Sequence, residues 1–247
     1  MAGALGAAAA GLGGAYLALL GRRPFPGSGL LKCAPVALLA GACAVAAPPA
    51  GGDAGRAGGG RASPQRLLAA GLLLSAGGDV ALELDHGARR AGGGSPFFLG
   101  GLGFFRLAHL CYIGAFAGGR DARGVPLSLR GRAACVGTAA FAVGFLAVLW
   151  DDVGGAMRGP VAAYAASLAA MAIAAVAHRA GPGYTPRVLG AYLFVASDSL
   201  LGLRQFKFRG APPGGAAYEL AVMATYYGAQ ACIARALLLD AAPQKRA

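Results

Sequence analysis

The chain has 247 residues, of which 57% are hydrophobic and only 13% are charged, with a formal net charge of +12 at pH 7. A soluble domain carries about 25% charged residues, so this composition excludes an ordinary soluble globular protein. The apolar residues form long blocks and not amphipathic stripes, which predicts an all-α, polytopic transmembrane helix bundle. Because the Lys and Arg residues lie mostly between these blocks, where they anchor helix ends, no nucleic-acid partner is expected.

Eight apolar blocks have roughly the 17 to 25 residues that a membrane span needs. They cover residues 3–21, 30–48, 66–84, 97–117, 131–150, 158–178, 187–205 and 217–239. Spans and short loops use up the chain, so we predict one integral membrane domain over residues 1–247. The longest connection, residues 49–65, is rich in Gly, Pro and Arg and is predicted to be a flexible loop.

An even number of spans places both termini on one side of the membrane, and a small excess of Lys and Arg there favours the cytoplasm. The chain also shows a weak internal similarity. SAGGDVAL in span three is similar to ASDSLLGL in span seven, and LAHLCYIGA in span four to GAQACIARA in span eight. A four-plus-four tandem repeat produces such a pattern, and so does low-complexity Ala/Gly sequence.

Two aspartates, Asp79 and Asp198, lie inside the apolar blocks of spans three and seven. A carboxylate at this position costs about 2.5 to 3.5 kcal/mol on insertion scales, so it usually faces the protein interior and serves a function. A helix rises 1.5 Å per residue, which places Asp79 and Asp198 at about 20 and 16 Å from the terminal side. The two carboxyls are therefore predicted at nearly one level.

Other polar residues are predicted at this level. Arg106 and His109 of span four lie at about 16 and 12 Å from the terminal side, and Tyr226 and Gln230 of span eight at about 17 and 11 Å. Structural alternatives remain open: Asp79 could form an ion pair with Arg106, and Asp198 could be a hydrogen-bonded residue beside Ser197. With three histidines in the chain, a zinc site is not expected, and no cofactor is predicted.

Three further residues accompany these groups. Glu83 lies one turn beyond Asp79, and Tyr112 shares a helix face with His109 at three-residue spacing. Lys32 lies near the end of span two, where a lysine side chain is expected to extend to the membrane interface.

Five motifs resemble the lysoplasmalogenase family, the YhhN-like membrane proteins. They are LLKCAPV at 30–36, GLLLSAGGD at 71–79, GGLGFFRLAHLCYIGAF at 100–116, GAYLFVASDSLLGLRQF at 190–206 and TYYGAQ at 225–230. The K-x-x-P opening of span two is closer to the animal members. This resemblance implies eight spans, an endoplasmic-reticulum membrane and an ether-bond hydrolase. The implied substrates are lysoplasmalogens with ethanolamine or choline head groups, and the products a fatty aldehyde and the glycerophospho-head group.

The polar residues fit this chemistry, because a vinyl ether is stable to base and labile to acid. Its hydrolysis needs one protonated acid and one carboxylate, which two carboxyls in a low-dielectric site supply. Asp79 and Asp198 are the predicted catalytic pair, with their roles unassigned. For the substrate phosphate the candidates are Lys32, Arg106 and His109, and for water or glycerol hydroxyls they are Tyr226 and Gln230. The remaining predicted binding residues are Glu83, Tyr112 and Ser197.

A different class of function stays open. Buried Asp and Arg residues also form ion or proton paths in transporters and channels. An intramembrane aspartyl protease is disfavoured, because Ala76 stands in place of the first glycine of its G-x-G-D motif. The expected partners are a lysophospholipid substrate and membrane lipid, with homo-oligomers a further possibility.

Overall fold

The computed structural model describes residues 1–22, 25, 27–47, 63–90, 97–117, 127–178 and 181–241. Over these residues all regular structure is helical. The eight long helices are α1 (Ala2–Leu19), α2 (Ser28–Val45), α3 (Pro64–Arg90), α4 (Phe97–Ala117), α5 (Leu129–Leu149), α6 (Gly155–Ala177), α7 (Tyr184–Gly202) and α8 (Ala216–Ala241). A short 3-10 turn, Leu20–Arg22, follows α1, and a π-helical segment, Leu203–Lys207, follows α7.

The prediction of an all-α fold is confirmed, and each predicted apolar block coincides with one helix to within a few residues. The largest difference is in α3, which continues beyond the predicted end at residue 84 to Arg90. Most of the predicted loop at residues 49–65 lies outside the described residues.

Seven of the described helices are long and apolar enough to cross a membrane, and α7 does not reach that apolarity. The reason is its composition, because α7 carries Arg187, Asp198 and two serines within 19 residues. The finding therefore supports a polytopic helical protein with seven candidate spans. The helix that falls short carries Asp198, one of the two predicted catalytic aspartates.

Residues of α1, α2, α3, α4, α6, α7 and α8 form a common core, whereas α5 contributes to a smaller apolar cluster with α6. The most extensive contacts join α3 to α4 and α7 to α8. Helix α5 packs mainly on α6 and touches the π-helical segment, so one of its faces borders a space between α4, α6 and α7. The core itself is aromatic, with Phe105, Tyr112, Phe194 and Tyr226 buried at its centre.

Two glycines allow the close packing that brings the aspartates into this core. A Cβ at Gly78, next to Asp79, would lie 2.6 Å from the Phe105 ring. A Cβ at Gly190 of α7 would lie 2.8 Å from Ile233 and 2.9 Å from a backbone oxygen of α8. Small residues at helix interfaces let backbones approach closely, which drives helix association in a membrane.

Candidate functional site

Asp79 lies on α3 with its side chain 3% exposed. Lys32 Nζ of α2 lies 3.7 Å from Asp79 Oδ1, and the Tyr226 hydroxyl of α8 donates a 2.7 Å hydrogen bond to Oδ2. The Lys32 backbone carbonyl in turn accepts a 2.7 Å hydrogen bond from Tyr227. Three helices therefore hold this carboxyl, and its nearest charged partner is a cation that is itself buried.

Asp198 lies on α7 with its side chain 9% exposed. The Tyr164 hydroxyl of α6 donates a 2.5 Å hydrogen bond to Asp198 Oδ2. His109 Nε2 of α4 lies 3.9 Å from the same oxygen, which is long for a hydrogen bond. This carboxyl thus has a phenol and an imidazole as its described partners.

The hydrogen bonds around His109 assign its tautomer. Ser167 Oγ donates its single proton to the Tyr164 carbonyl at 2.8 Å, so at 3.2 Å it can only accept from His109 Nδ1. A neutral His109 therefore carries its proton on Nδ1 and turns the lone pair of Nε2 toward Asp198. A ring nitrogen with a free lone pair is suited to face a carboxyl that carries a proton.

Aromatic rings connect the two carboxyls. The Phe194 ring lies 5.1 Å from His109 and 5.9 Å from Tyr226, centroid to centroid. Since His109 borders Asp198 and Tyr226 binds Asp79, the acidic groups flank one aromatic cluster.

A second hydrogen-bond chain lies beside this cluster. Tyr112 donates to Gln230 Oε1 at 2.8 Å, and Ser75 lies 3.1 Å from the same hydroxyl. Because Tyr112 uses its only proton on Gln230, Ser75 is the donor of the second bond. The chain joins α3, α4 and α8 in the interior, since all three side chains are fully buried.

An apolar groove opens from Asp198. It is bordered by the face of α5 that turns toward α4, α6 and α7, and by Gln205 and Phe206 of the π-helical segment. Its lining is dominated by Phe, Leu, Val and Ala side chains, and Asp198 is the acidic residue among them. Asp79 is not part of this lining, so the two carboxyls differ in their access to apolar ligands.

Comparison with known proteins identifies the family of this chain. The family model described as "YhhN family" matches residues 27–237. The chain belongs to the YhhN family. Two relatives, from Mycobacterium bovis and Mycobacterium tuberculosis, are named lysoplasmalogenase and are each 34% identical over 208 residues, which cover 78% of this chain and 69% of the relative. No solved structure matches the chain.

The match of the YhhN family includes all the predicted site residues, and the structure brings most of them together. Those that contact one another or an aspartate are Lys32, Asp79, His109, Tyr112, Asp198, Tyr226 and Gln230. The predicted extension of Lys32 to the membrane interface is wrong, because Lys32 is buried against Asp79. The possible Asp79–Arg106 ion pair is replaced by the Lys32 contact.

The three remaining predicted residues have other surroundings. Arg106 is exposed on the outer face of α4, whereas His109 on the same helix is fully buried. Ser197 donates a 3.0 Å hydrogen bond to the Val222 carbonyl, which joins α7 to α8. Glu83 is half-buried and accepts a 3.4 Å hydrogen bond from Ser28.

Sequence reasoning missed Tyr164 and Ser167 on α6, which hold Asp198 and His109. The predicted depth of Tyr164 in the membrane could have identified it. It lies 13 residues before the end of α6, or about 20 Å from the terminal side, which is the level of the two aspartates. Over the described residues, no three His, Cys, Asp or Glu side chains are grouped as metal ligands.

Proposed function

We propose that this YhhN-family protein is a lysoplasmalogenase that hydrolyses the vinyl ether bond of lysoplasmalogens, with Asp79 and Asp198 as its catalytic pair. The observation that carries the proposal is the position of Asp198, whose carboxyl is 9% exposed on the wall of an apolar groove, with the buried carboxyl of Asp79 flanking the same aromatic cluster. The relatives named lysoplasmalogenase support the same activity.

Asp198 is the proposed general acid. Its described partners are a phenol and an imidazole whose lone pair faces it, so no described cation holds it as a carboxylate. Apolar surroundings disfavour the charged form of a carboxyl, and the groove brings the alkenyl chain of a lipid to its surface. The acid donates its proton to the β-carbon of the vinyl ether, and an oxygen lone pair forms the C=O bond of an oxocarbenium ion.

Asp79 is the proposed general base, because Lys32 compensates its negative charge in the interior. It stabilises the oxocarbenium ion, as a carboxylate does in glycoside hydrolysis, and accepts a proton from water as the water oxygen bonds to the α-carbon. The hemiacetal then collapses. Asp198 takes back the hydroxyl proton, Asp79 gives its proton to the departing glycerol oxygen, and both groups return to their starting states.

The remaining polar side chains bind and orient the substrate in this proposal. Lys32 reaches the phosphate, and Tyr226 and Gln230, both aligned by hydrogen bonds, orient water or the glycerol hydroxyl. His109, Tyr112 and Ser197 keep the carboxyls and their helices in place. Glu83, close to Lys32 through Ser28, borders the head-group end.

We further propose that α7 spans the membrane as the eighth segment, because its charged and polar residues face other helices. The extensive α3–α4 and α7–α8 contacts agree with a four-plus-four repeat, in which these pairs correspond. The proposed location is the endoplasmic-reticulum membrane with cytoplasmic termini. Fluorescence of tagged protein and protease accessibility of each terminus test these assignments.

Aldehyde release by the purified protein tests the activity. In detergent micelles, lysoplasmenylethanolamine is expected to yield a fatty aldehyde and glycerophosphoethanolamine, without added metal or cofactor. A transporter needs a sealed compartment and releases no aldehyde from micelles. The saturated 1-alkyl ether analogue is the control, because it lacks the double bond that accepts the proton and is expected to remain intact.

A further inference from the structure

The groove beside Asp198 differs sharply in chemistry from the cluster on the other side of this residue. Helix α5 presents Phe141, Phe145 and Leu149 to the groove at four-residue spacing, and Val161 and Phe206 also line it. A phosphate or an ammonium group placed there would lose its hydration without gaining charged partners, which is strongly unfavourable.

The opposite side of the site is polar. Lys32 and Tyr226 each contact Asp79 there, and the Ser28–Glu83 hydrogen bond lies toward the start of α2. A lysoplasmalogen has the same order of parts: a charged head group, a vinyl ether and a long aliphatic chain. When the vinyl ether is at Asp198, only the aliphatic chain matches the groove.

We propose that the groove holds the alkenyl chain of the lysophospholipid, and that Gly202 determines how much of the chain it admits. The proposal rests on the lysoplasmalogenase activity proposed above and adds the direction in which the substrate lies. The head group is toward Lys32, the scissile bond at Asp198 and the chain between α5 and the helices α4, α6 and α7.

Gly202 is the position at which the groove is most easily narrowed. It lies one helical turn from Asp198 on the same groove wall. A Cβ at Gly202 would lie 3.3 Å from Leu149 Cδ1 and 3.5 Å from Phe145 Cε1, so the first atom of a side chain fits after a small shift of the Leu149 side chain. A longer side chain extends into the volume assigned to the aliphatic chain.

The test compares kcat/KM for a long-chain (octadecenyl) and a short-chain (octenyl) lysoplasmenylethanolamine in micelles. Each buried methylene contributes about fourfold in binding, so the exclusion of two or more methylenes by Gly202→Leu is expected to lower the long-to-short ratio of kcat/KM by at least about tenfold. The double variant Gly202→Leu, Phe145→Ala is expected to recover part of that ratio. Gly144→Leu is the matched control, because a Cβ at Gly144 has open space and the wild-type ratio is expected.

A photo-crosslinking experiment covers the case in which Gly202→Leu does not fold. The wild-type protein is labelled with a non-cleavable 1-alkyl lysophospholipid that carries a diazirine at the chain terminus. Adducts are expected on α5 and on the wall of α7, and adducts spread over α1 and α2 would overturn the proposal.

An unchanged long-to-short ratio of kcat/KM in Gly202→Leu, with or without an equal loss for both chain lengths, would also refute the assignment of the chain to the groove. Failure of the wild type to release aldehyde from either substrate is a different result. It would refute the proposed activity, and the crosslinked positions would still decide where the chain binds.

Discussion

Lys32 Nζ lies 3.7 Å from Asp79 Oδ1, with both side chains buried between α2, α3 and α8. This contact gives Asp79 a cation, while the described partners of Asp198 are Tyr164 and His109. The two carboxyls thus occupy different electrostatic surroundings within one site. Enzymes that use one carboxyl as an acid and another as a base assign the roles through such differences.

The first prediction concerns Lys32→Met, which leaves the Asp79 charge without its partner. Removal of one partner from a buried ion pair costs about 3 to 5 kcal/mol, so a marked fall in the thermal unfolding midpoint in detergent is expected, with loss of aldehyde release. The control is Lys207→Met, whose side chain is 48% exposed in its pair with Asp152. There we expect a change of less than about 1 kcal/mol.

A double variant distinguishes the effect of the buried charges on stability from their effect on activity. Lys32→Met combined with Asp79→Asn removes both charges, so the unfolding midpoint is expected to rise above that of Lys32→Met alone. Activity remains absent, because the base is gone. If Lys32→Met alone were as stable and active as the wild type, the buried pair would have no role in holding Asp79.

The second prediction concerns the two aspartates themselves. Asp79→Asn and Asp198→Asn keep the size of each side chain and remove its ability to exchange a proton. General acid–base catalysis contributes about 10² to 10⁴ in rate, so each variant is expected to lose at least about a hundredfold in kcat while its helical circular dichroism is retained. Asp152→Asn, on the rim of the bundle, serves as the control with near-normal turnover. Substantial turnover in either catalytic variant argues against that residue as acid or base.

The third prediction concerns Tyr164, which the structure adds to the site. Tyr164→Phe removes the 2.5 Å hydrogen bond to Asp198 and keeps the ring against His109. Hydrogen bonds to charged or proton-exchanging groups contribute about 1.5 to 3 kcal/mol, which corresponds to a loss of about 10- to 100-fold in kcat/KM. Tyr192→Phe is the matched control, because Tyr192 bonds to Thr138 and not to a carboxyl. Equal effects of the two substitutions would indicate a packing role for Tyr164.

The fold and the two acidic residues were predictable from sequence for a simple physical reason. Insertion of a carboxylate into an apolar membrane span is energetically costly. Asp79 and Asp198 can therefore be recognised from the sequence as candidate functional residues, without any knowledge of helix packing. Tyr164 is not visible in this way, because a single tyrosine in an Ala-rich span has the appearance of an ordinary core aromatic. Its role depends on which side of α6 meets α7, and this is a property of the tertiary structure.

For Lys32 and Arg106, too, the sequence does not determine which face of the helix bundle the side chain occupies. Depth along a helix follows from the sequence, whereas the face that a residue occupies follows from helix packing. Lys32 lies near the start of α2, which predicts an interfacial side chain, yet it points inward to Asp79. Arg106 has the predicted depth of the two aspartates, yet the buried face of α4 carries Phe105, Ala108 and His109 instead.

The fourth prediction follows from that position of Arg106. Because its side chain is exposed on the outer face of α4 and Lys32 provides the cation beside Asp79, Arg106→Gln is expected to keep aldehyde release within about twofold of wild type, since exposed positions away from a site contribute within about 0.5 kcal/mol. Lys32→Gln, the same change at the buried cation, is expected to abolish the activity. The comparison uses equal amounts of folded protein in the same micelles and reports kcat and KM separately. A large rise in KM for Arg106→Gln alone would instead place the substrate phosphate on the outer face of α4, and Lys32 would then serve only to stabilise Asp79.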